Sequence, residues 1–449
     1  MRPLLATLAA PALLIPFLVA SPAEAAATWS VPPGVNVELS TGAVGAMTPG
    51  GNGEIFVAGN FVTSDTASPT AFTVGEWRGG KLSPVGDLPL GAIGALAWDA
   101  KNGLLYAGGS IIMGSSVYGV VKWDGTAWTG VADMEFGLVN ALAVDSVGTL
   151  YVGGSFTKVN GQTGFSNFAR YSTTGWSALG TAFDDAVTSI AVDRPGNVYV
   201  AGYFSRWQLN QSTFGSVAIW DGDSWRVSGA TDSRVLTVAI GPGNVLYGHG
   251  NFTEASGFDT RLAMMEPSQT EWDAVTPPPV EITSSGASQM SFARDGALLI
   301  GIDGRVYSLK GGRWTTIPGV FGGPIRTVVS DSKGDLLVGG AFTSIDRVRT
   351  PGLAIRSNGK RPGVPRTVTA EDLGRRILVQ WSAVTSTPEV TRYEAECRKG
   401  SPRDAQKLSV QTRAAIFDVR AKGKYRCRVR AENAVGWSPW SRTVTVNIR

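Results

Sequence analysis

Histidine and cysteine are nearly missing from this 449-residue chain: His249 is the single imidazole, and Cys397 and Cys427 are the only thiols. No zinc-binding spacing, nucleophile elbow or phosphate-cradling loop occurs, which argues against the enzyme classes built on those motifs. Helix-period apolar patterning is missing beyond the first residues, and no later stretch is long and apolar enough to cross a bilayer. What remains is rich in turn formers, with 57 glycines and 24 prolines between many short apolar runs. That composition predicts an all-β, turn-rich chain long enough for more than one core.

Arg2 precedes an apolar run through Leu18, Val19 and Ala20, followed by Ser21-Pro22-Ala23-Glu24-Ala25. A charged start, an apolar middle and a small-residue site are the layout of a secretory signal peptide, expected over residues 1–25. The expected location is therefore secreted or extracellular, with no membrane span in the mature chain. Charge is unevenly placed. Residues 365–449 carry 17 Lys and Arg against 8 Asp and Glu, while the whole chain has a formal charge of only +4, so an acidic body bears a basic tail. Such a tail favours anionic polymers such as wall polysaccharides, although a solvated basic surface also accounts for it.

Gly148-Thr149-Leu150-Tyr151-Val152-Gly153-Gly154-Ser155-Phe156 recurs as Gly53-Glu54-Ile55-Phe56-Val57-Ala58-Gly59-Asn60-Phe61 and as Gly196-Asn197-Val198-Tyr199-Val200-Ala201-Gly202-Tyr203-Phe204. Looser copies surround Leu105, Tyr247, Leu299 and Leu337, making seven. The second glycine falls at 59, 109, 154, 202, 250 and 340, with Ile302 in the sixth copy, a spacing that fits a four-stranded propeller blade. Asp99, Asp145, Asp193 and Asp331 precede a glycine by three or four residues. An ion site is conceivable there, but a tight turn needs only one carboxylate and one glycine, and the turn is preferred. Trp123, Trp128, Trp176, Trp220, Trp225, Trp272 and Trp314 recur around the fourth strand, as fillers between blades. The seventh copy ends at Leu353-Ala354-Ile355-Arg356 without a tryptophan strand, and Trp29-Ser30-Val31-Pro32-Pro33-Gly34-Val35 matches Trp314-Thr315-Thr316-Ile317-Pro318-Gly319-Val320. The N-terminal segment is therefore expected to complete the last blade, giving a seven-bladed β-propeller over 28–356.

The pattern of Gly153-Gly154-Ser155-Phe156, Ala169-Arg170 and Trp176-Ser177-Ala178-Leu179-Gly180 resembles kelch-like propeller repeats, in the variant of bacterial and fungal cell-surface proteins. Copper oxidases of that architecture hold their metal with paired histidines and tyrosines, a set that one histidine does not supply. No metal and no cofactor is expected. His249 replaces a small residue beside the recurrent glycine and reads as an interior, hydrogen-bonded histidine.

Residues 357–364 have linker composition. After them, Ile377-Leu378-Val379-Gln380-Trp381, Tyr393-Glu394-Ala395-Glu396-Cys397 and Tyr425 through Ser438 resemble a fibronectin type III domain, expected over 365–449 as a C-terminal β-sandwich. Alternation puts Tyr425, Cys427, Val429 and Ala431 inside and Arg426, Arg428 and Arg430 outside. Trp437 and Trp440, in Trp437-Ser438-Pro439-Trp440-Ser441, are spaced to face one way and to sandwich guanidiniums; an exposed aromatic and basic patch for sugars is the alternative. Cys397 and Cys427 fall on strands expected to be neighbours and read as a structural disulfide.

The loops after the second strand of each blade are the long ones, and binding residues gather on such loops. Trp207 is the leading single candidate for a sugar or protein contact, with Arg206 and Tyr203 beside it; a tryptophan covering the gap between blades is the alternative. Asp184 and Asp185 lie on a connecting loop of the same face, as do Asp133 and Glu135. The preferred reading is a non-enzymatic binding or adhesion protein whose partner is a polysaccharide or an extracellular protein, not nucleic acid. The alternative is a carbohydrate-active hydrolase or lyase with carboxylates at the propeller mouth; a purely structural surface component stands behind both.

Overall fold

The computed structural model describes residues 29–449 except 33–34, 38–43, 64–70, 88–90, 135–136, 181–182, 209–210, 213–216, 230, 256, 277–287, 360, 387–389, 402–403, 420 and 434–435. The signal-peptide segment and Glu135 lie outside the described residues. Seven antiparallel sheets follow one another. Blade 1 is Ala46–Pro49, Ile55–Thr63, Ala71–Arg78 and Lys81–Pro84, and blade 2 is Gly91–Asp99, Leu104–Met113, Ser116–Trp123 and Trp128–Ala132. Blade 3 is Leu138–Val144, Leu150–Ser155, Phe168–Ser172 and Gly175–Ser177, and blade 4 is Val187–Val192, Val198–Gly202, Ala218–Trp220 and Trp225–Val227. Blade 5 is Val235–Ile240, Leu246–Gly250, Leu262–Met265 and Asp273–Ala274, and blade 6 is Ser291–Phe292, Leu298–Ile302, Arg305–Lys310 and Arg313–Ile317. Blade 7 takes Ile325–Ser330, Leu336–Gly340 and Leu353–Arg356 from its own repeat and Trp29–Ser30 from the front of the chain, with Trp29 opposite Arg356 and Ser30 opposite Ile355.

First strands contact first strands from blade 6 through blades 7 and 1 to blade 5, Ala46–Pro49 touches both Gly91–Asp99 and Ile325–Ser330, and Ala239 of blade 5 shares a core with Leu298 and Ile300 of blade 6. Val44 and Met47 share a core with Val329, Leu337, Leu353 and Ile355, so blade 1 packs on blade 7 and the seven blades form a closed propeller.

The recurrent second glycine has a steric cause. A Cβ on Gly154 would lie 2.0 Å from the carbonyl oxygen of Leu138, and one on Gly202 2.2 Å from that of Ala186. Opposite the glycines of blades 2, 3, 4, 5 and 7 the first strand bulges, as in the register shifts between Val139 and Ala141 and between Val187 and Ser189. A bulge drives one backbone into its partner, and only hydrogen fits there. Blade 6 carries Ile302 at this place, and the pairing of Ser291–Phe292 with Leu298–Ile302 has no such shift. The turn carboxylates accept backbone N–H groups: Asp193 Oδ1 from Gly196 and Asn197, Asp145 Oδ1 from Val147 and Thr149, and Asp331 Oδ1 from Lys333 and Asp335. Among the described residues no group of three or more His, Cys, Asp or Glu is placed to hold a metal ion.

The outer-strand tryptophans tie each blade to the one before. Trp128 Nε1 donates to the carbonyl of Val85 at 2.8 Å, Trp225 to Leu179 at 3.1 Å, Trp314 to Thr276 at 2.5 Å and Trp29 to Pro318 at 2.6 Å. Trp176 and Trp272 pack at the same place between blades 2 and 3 and blades 4 and 5. Leu82 occupies it in blade 1.

The C-terminal fibronectin type III β-sandwich packs Thr369–Asp372, Arg376–Gln380 and Ala414–Asp418 against a sheet of Gln406–Val410, Arg392–Arg398, Gly423–Asn433 and Val444–Ile448. Trp381, Tyr393, Phe417 and Tyr425 fill its core, and the Tyr425 hydroxyl donates to the carbonyl of Ala421 at 2.9 Å. Cys397 and Cys427 are opposed on neighbouring strands and are joined by a disulfide. Outside, Arg430 stacks between Trp437 and Trp440, 4.4 and 4.6 Å from their ring centres, and Arg428 lies 4.3 Å from Trp440. Glu396 accepts two hydrogen bonds from Arg428, and Glu394 pairs with Arg430. Ser438 and Ser441 each exchange hydrogen bonds with the backbone of Ala431 and Val429. Ring faces and guanidiniums are thus spent on one another, the stabilising ladder rather than an open sugar platform.

Trp128→Phe keeps the ring but strands the buried Val85 carbonyl, and should lower stability by about 1–2 kcal/mol, read as a lower urea midpoint. An unchanged midpoint would remove the staple from the energetics. Replacing Cys397 and Cys427 together by Ala should cost the sandwich about 3–4 kcal/mol on the chain-entropy account of a roughly 30-residue loop, measured on residues 363–449 by thermal melting.

Candidate functional site

One face of the propeller carries a crown of hairpins between second and third strands. Short ladders form at Lys158–Val159 with Gln162–Thr163, Arg206–Gln208 with Gln211–Ser212, Glu254–Ala255 with Phe258–Asp259, and Ser344–Ile345 with Val348–Arg349. In blade 6 the crown drops to a tight turn at Asp303 and Gly304, both at positive φ.

Four of the sequence-derived candidates meet in blade 4. Asp184 Oδ1 accepts the amides of Ser205 at 2.7 Å and Arg206 at 2.9 Å, and the Asp184 amide donates to the Arg206 carbonyl at 3.2 Å. Asp185 Oδ1 accepts the amide of Ala186 at 2.7 Å, and the Tyr203 amide donates to the Ala186 carbonyl at 2.9 Å. Tyr203 is exposed, as is Arg206. The backbone of Trp207 lies in the Arg206–Gln208 ladder, and its side chain falls outside the described residues.

The Asp184 clamp has equivalents. Asp232 Oδ1 accepts the amides of Thr253 and Glu254 at 2.7 and 2.9 Å, Asp346 Oδ1 accepts that of Val320 at 2.9 Å, and Asn160 Oδ1 that of Asp133 at 2.8 Å. Desolvation alone would raise the Asp232 carboxyl, but the Thr253 hydroxyl and the two amides outweigh it and hold the pKa below the usual range. These side chains fasten the crown hairpins to the loops between blades, which is a positioning role.

Inside the crown lies the mouth of the central channel, a cavity of about 400 Å³ bordered by Gly45, Gly94, Leu138, Asn140 and Arg326. Gly94, Asn140 and Arg326 are the residues that the first-strand bulges leave unpaired, and Thr188 and Leu236 hold the same position in blades 4 and 5. The bulged residue of each of these five blades is thereby re-aimed, and Gly94, Asn140 and Arg326 reach this mouth. Sequence reasoning missed Asn140 and Arg326. Their signal is the variable residue of the bulged first strands, opposite the second glycine.

His249 departs from expectation. It is fully buried, but neither ring nitrogen has a hydrogen-bond partner, so it is interior without being hydrogen-bonded. It stands where other blades have Gly153 or Ala201, positions that face the next blade's first strand. Burial, with help from Arg261 and opposed by Asp303, lowers its pKa to about 4.

Residues 363–447 match the fibronectin type III domain family. No curated protein matches the chain. Among solved structures, the chain is similar to the extracellular domain of a hybrid two component system from B. thetaiotaomicron, at 13% identity and a TM-score of 0.46, covering 93% of this chain and 58% of that one. It is also similar to YCF48 bound to a D1 peptide, at 11% identity and a TM-score of 0.46, covering 74% of this chain and 94% of that one. The sandwich is similar to the FN5 domain of Drosophila Lar, at 23% identity and a TM-score of 0.17, covering 19% of this chain and 95% of that one. The chain thus spans 58% of the B. thetaiotaomicron domain.

His249 should make the propeller acid-sensitive. Its pKa is depressed in the fold, so the unfolded chain takes up the proton first as pH falls below about 6.5. Stability present above pH 6.5 is lost progressively toward pH 4, by up to about 3 kcal/mol. His249→Ala, the residue type found at 201, should flatten this dependence when denaturant midpoints are compared at pH 7 and pH 4.5; an equal slope in both proteins would contradict it.

Proposed function

We propose that the chain is a secreted, non-enzymatic binding or adhesion protein that recognises glycan or an extracellular protein through the hairpin face of its propeller. The proposed division is a signal peptide over 1–25, a kelch-like propeller over 28–356, a linker over 357–364 and a fibronectin type III domain over 365–449. The observation that carries this reading is the engagement of Asp184: its Oδ1 holds two backbone amides, the bonding of a scaffold carboxylate rather than of a proton-transfer group. A face whose acids fasten hairpins is suited to displaying side chains on a rigid frame. Tyr203, Arg206 and Trp207 are the residues proposed to meet the ligand, with Asp184 and Asp185 positioning the hairpin that carries two of them.

A glycan and matrix-protein array probed with the full chain should show retention without release of new reducing ends or unsaturated sugars; product growth would move the chain to the enzymes. Trp207→Ala or Tyr203→Ala should weaken the retained interaction about 30-fold, the effect of losing an interface aromatic worth about 2 kcal/mol. Unchanged retention in both variants would displace the contact surface from blade 4.

A further inference from the structure

The joints between blades are filled by three positions that strand register makes equivalent. The first is a second-strand residue of the leading blade, which is Phe56, Tyr106, Tyr151, Tyr199 and Tyr247 in blades 1 to 5, then Leu299 and Leu337. The second is a third-strand residue of the following blade: Trp123, Tyr171, Trp220, Met265 and Leu309 in blades 2 to 6, Trp77 in blade 1, and Arg356 in blade 7. The third is the end of the following blade's first strand: Trp98, Val144, Val192, Ile240 and Phe292 in blades 2 to 6, Pro49 in blade 1, and Ser330 in blade 7. Phe56 stacks on Trp98, and Tyr247 meets Phe292, across two of these joints.

Between blades 6 and 7 every position departs at once. Leu299 stands for an aromatic, Ser330 for an apolar side chain and Arg356 for an aromatic or aliphatic one, and Leu299, Ser330 and Arg356 all line a cavity of about 520 Å³. The other six joints keep at least one aromatic from these three positions. The aliphatic floor continues to Leu336, while the walls are polar: the hydroxyls of Ser308 and Ser357, and the cations Arg294 and Lys333 at the rim. Ser357, a residue of the lining, is 1% exposed, and its buried hydroxyl has no hydrogen-bond partner. Asp295, the acid of the lining, is tied to Lys310 at 2.7 Å. Arg294, Lys333 and Arg356 line the cleft together with this one carboxylate, and Arg294 also donates to the Ser332 carbonyl at 3.4 Å. Burial lowers the pKa of Arg356 below the usual arginine range, the mark of a cation drawn partly out of water.

We propose that this cleft is a second binding site, for a small hydroxylated anion of sugar size, its carboxylate or phosphate on Arg356 and its ring over Leu299. Arginine suits such a group because its planar donors match two oxygens at once. The volume suits one or two sugar rings. The cleft opens among the turns between first and second strands, at the blade ends opposite the hairpin crown, so the proposal stands apart from the reading of blade 4.

Calorimetric titration of the full chain with galacturonate, glucose 6-phosphate and glucose tests it. One or both anions should bind, and glucose at least about tenfold more weakly; the stronger anion tells carboxylate from phosphate. Leu299→Tyr, the side chain present at 151 and 199, should fill the cleft and abolish binding while the thermal midpoint holds or rises. Arg356→Met, the residue type at 265, should lower anion affinity about tenfold or more, whereas Tyr203→Ala should leave it unchanged. No binding by either anion, equal affinity for glucose, or full affinity in a folded Leu299→Tyr protein would overturn the assignment.

Discussion

A propeller stands or falls on the fit between the faces of adjacent sheets, because no single four-stranded blade buries both of its own faces. In this chain the fit between blades is fastened near the rim, where at four joints an indole reaches back to a carbonyl of the previous blade, while inside the blade a glycine lets the first and second strands close on a bulge. The final indole is Trp29, from the opposite end of the chain, so the last joint closes only when residues 29–30 have joined Leu353–Arg356. Everything displayed on either face inherits its position from these joints.

The features that repeat were legible in the sequence for that reason. Gly154 and its equivalents and the outer tryptophans recur in six of the seven repeats, and Asp193 and its equivalents in four, because each satisfies the same local demand. Blade 6 was visible as an exception at Ile302, and it is the blade that lacks both the bulge and the raised hairpin. In the sandwich, alternation along Gly423–Asn433 sufficed to place Cys427 inward and Arg428 and Arg430 outward, since strand geometry leaves no third choice.

Side-chain bonding was much less legible. Asp184 was read only as a candidate on a connecting loop, because nothing in a linear sequence tells that the amides of Ser205 and Arg206 will converge on it from 21 and 22 residues away. His249 was read as hydrogen-bonded from a general rule about buried polar groups, which the packing of blade 5 on blade 6 does not obey. Asn140 and Arg326 escaped notice because nothing in the sequence marks them as the unpaired residue of a bulge. The contacts proposed on this scaffold therefore sit in the exceptions: a hairpin longer than its neighbours and a joint whose fillers have been exchanged for polar groups.

Circular closure through the front of the chain is the claim on which both faces depend, and covalent trapping tests it most directly. With Ser30 and Ile355 each replaced by cysteine, the register of the last blade predicts an intramolecular disulfide on mild oxidation, identified by mass spectrometry of the linked peptides, in a protein that remains folded. Free thiols under the same conditions, or links formed only between separate molecules, would contradict the closed ring.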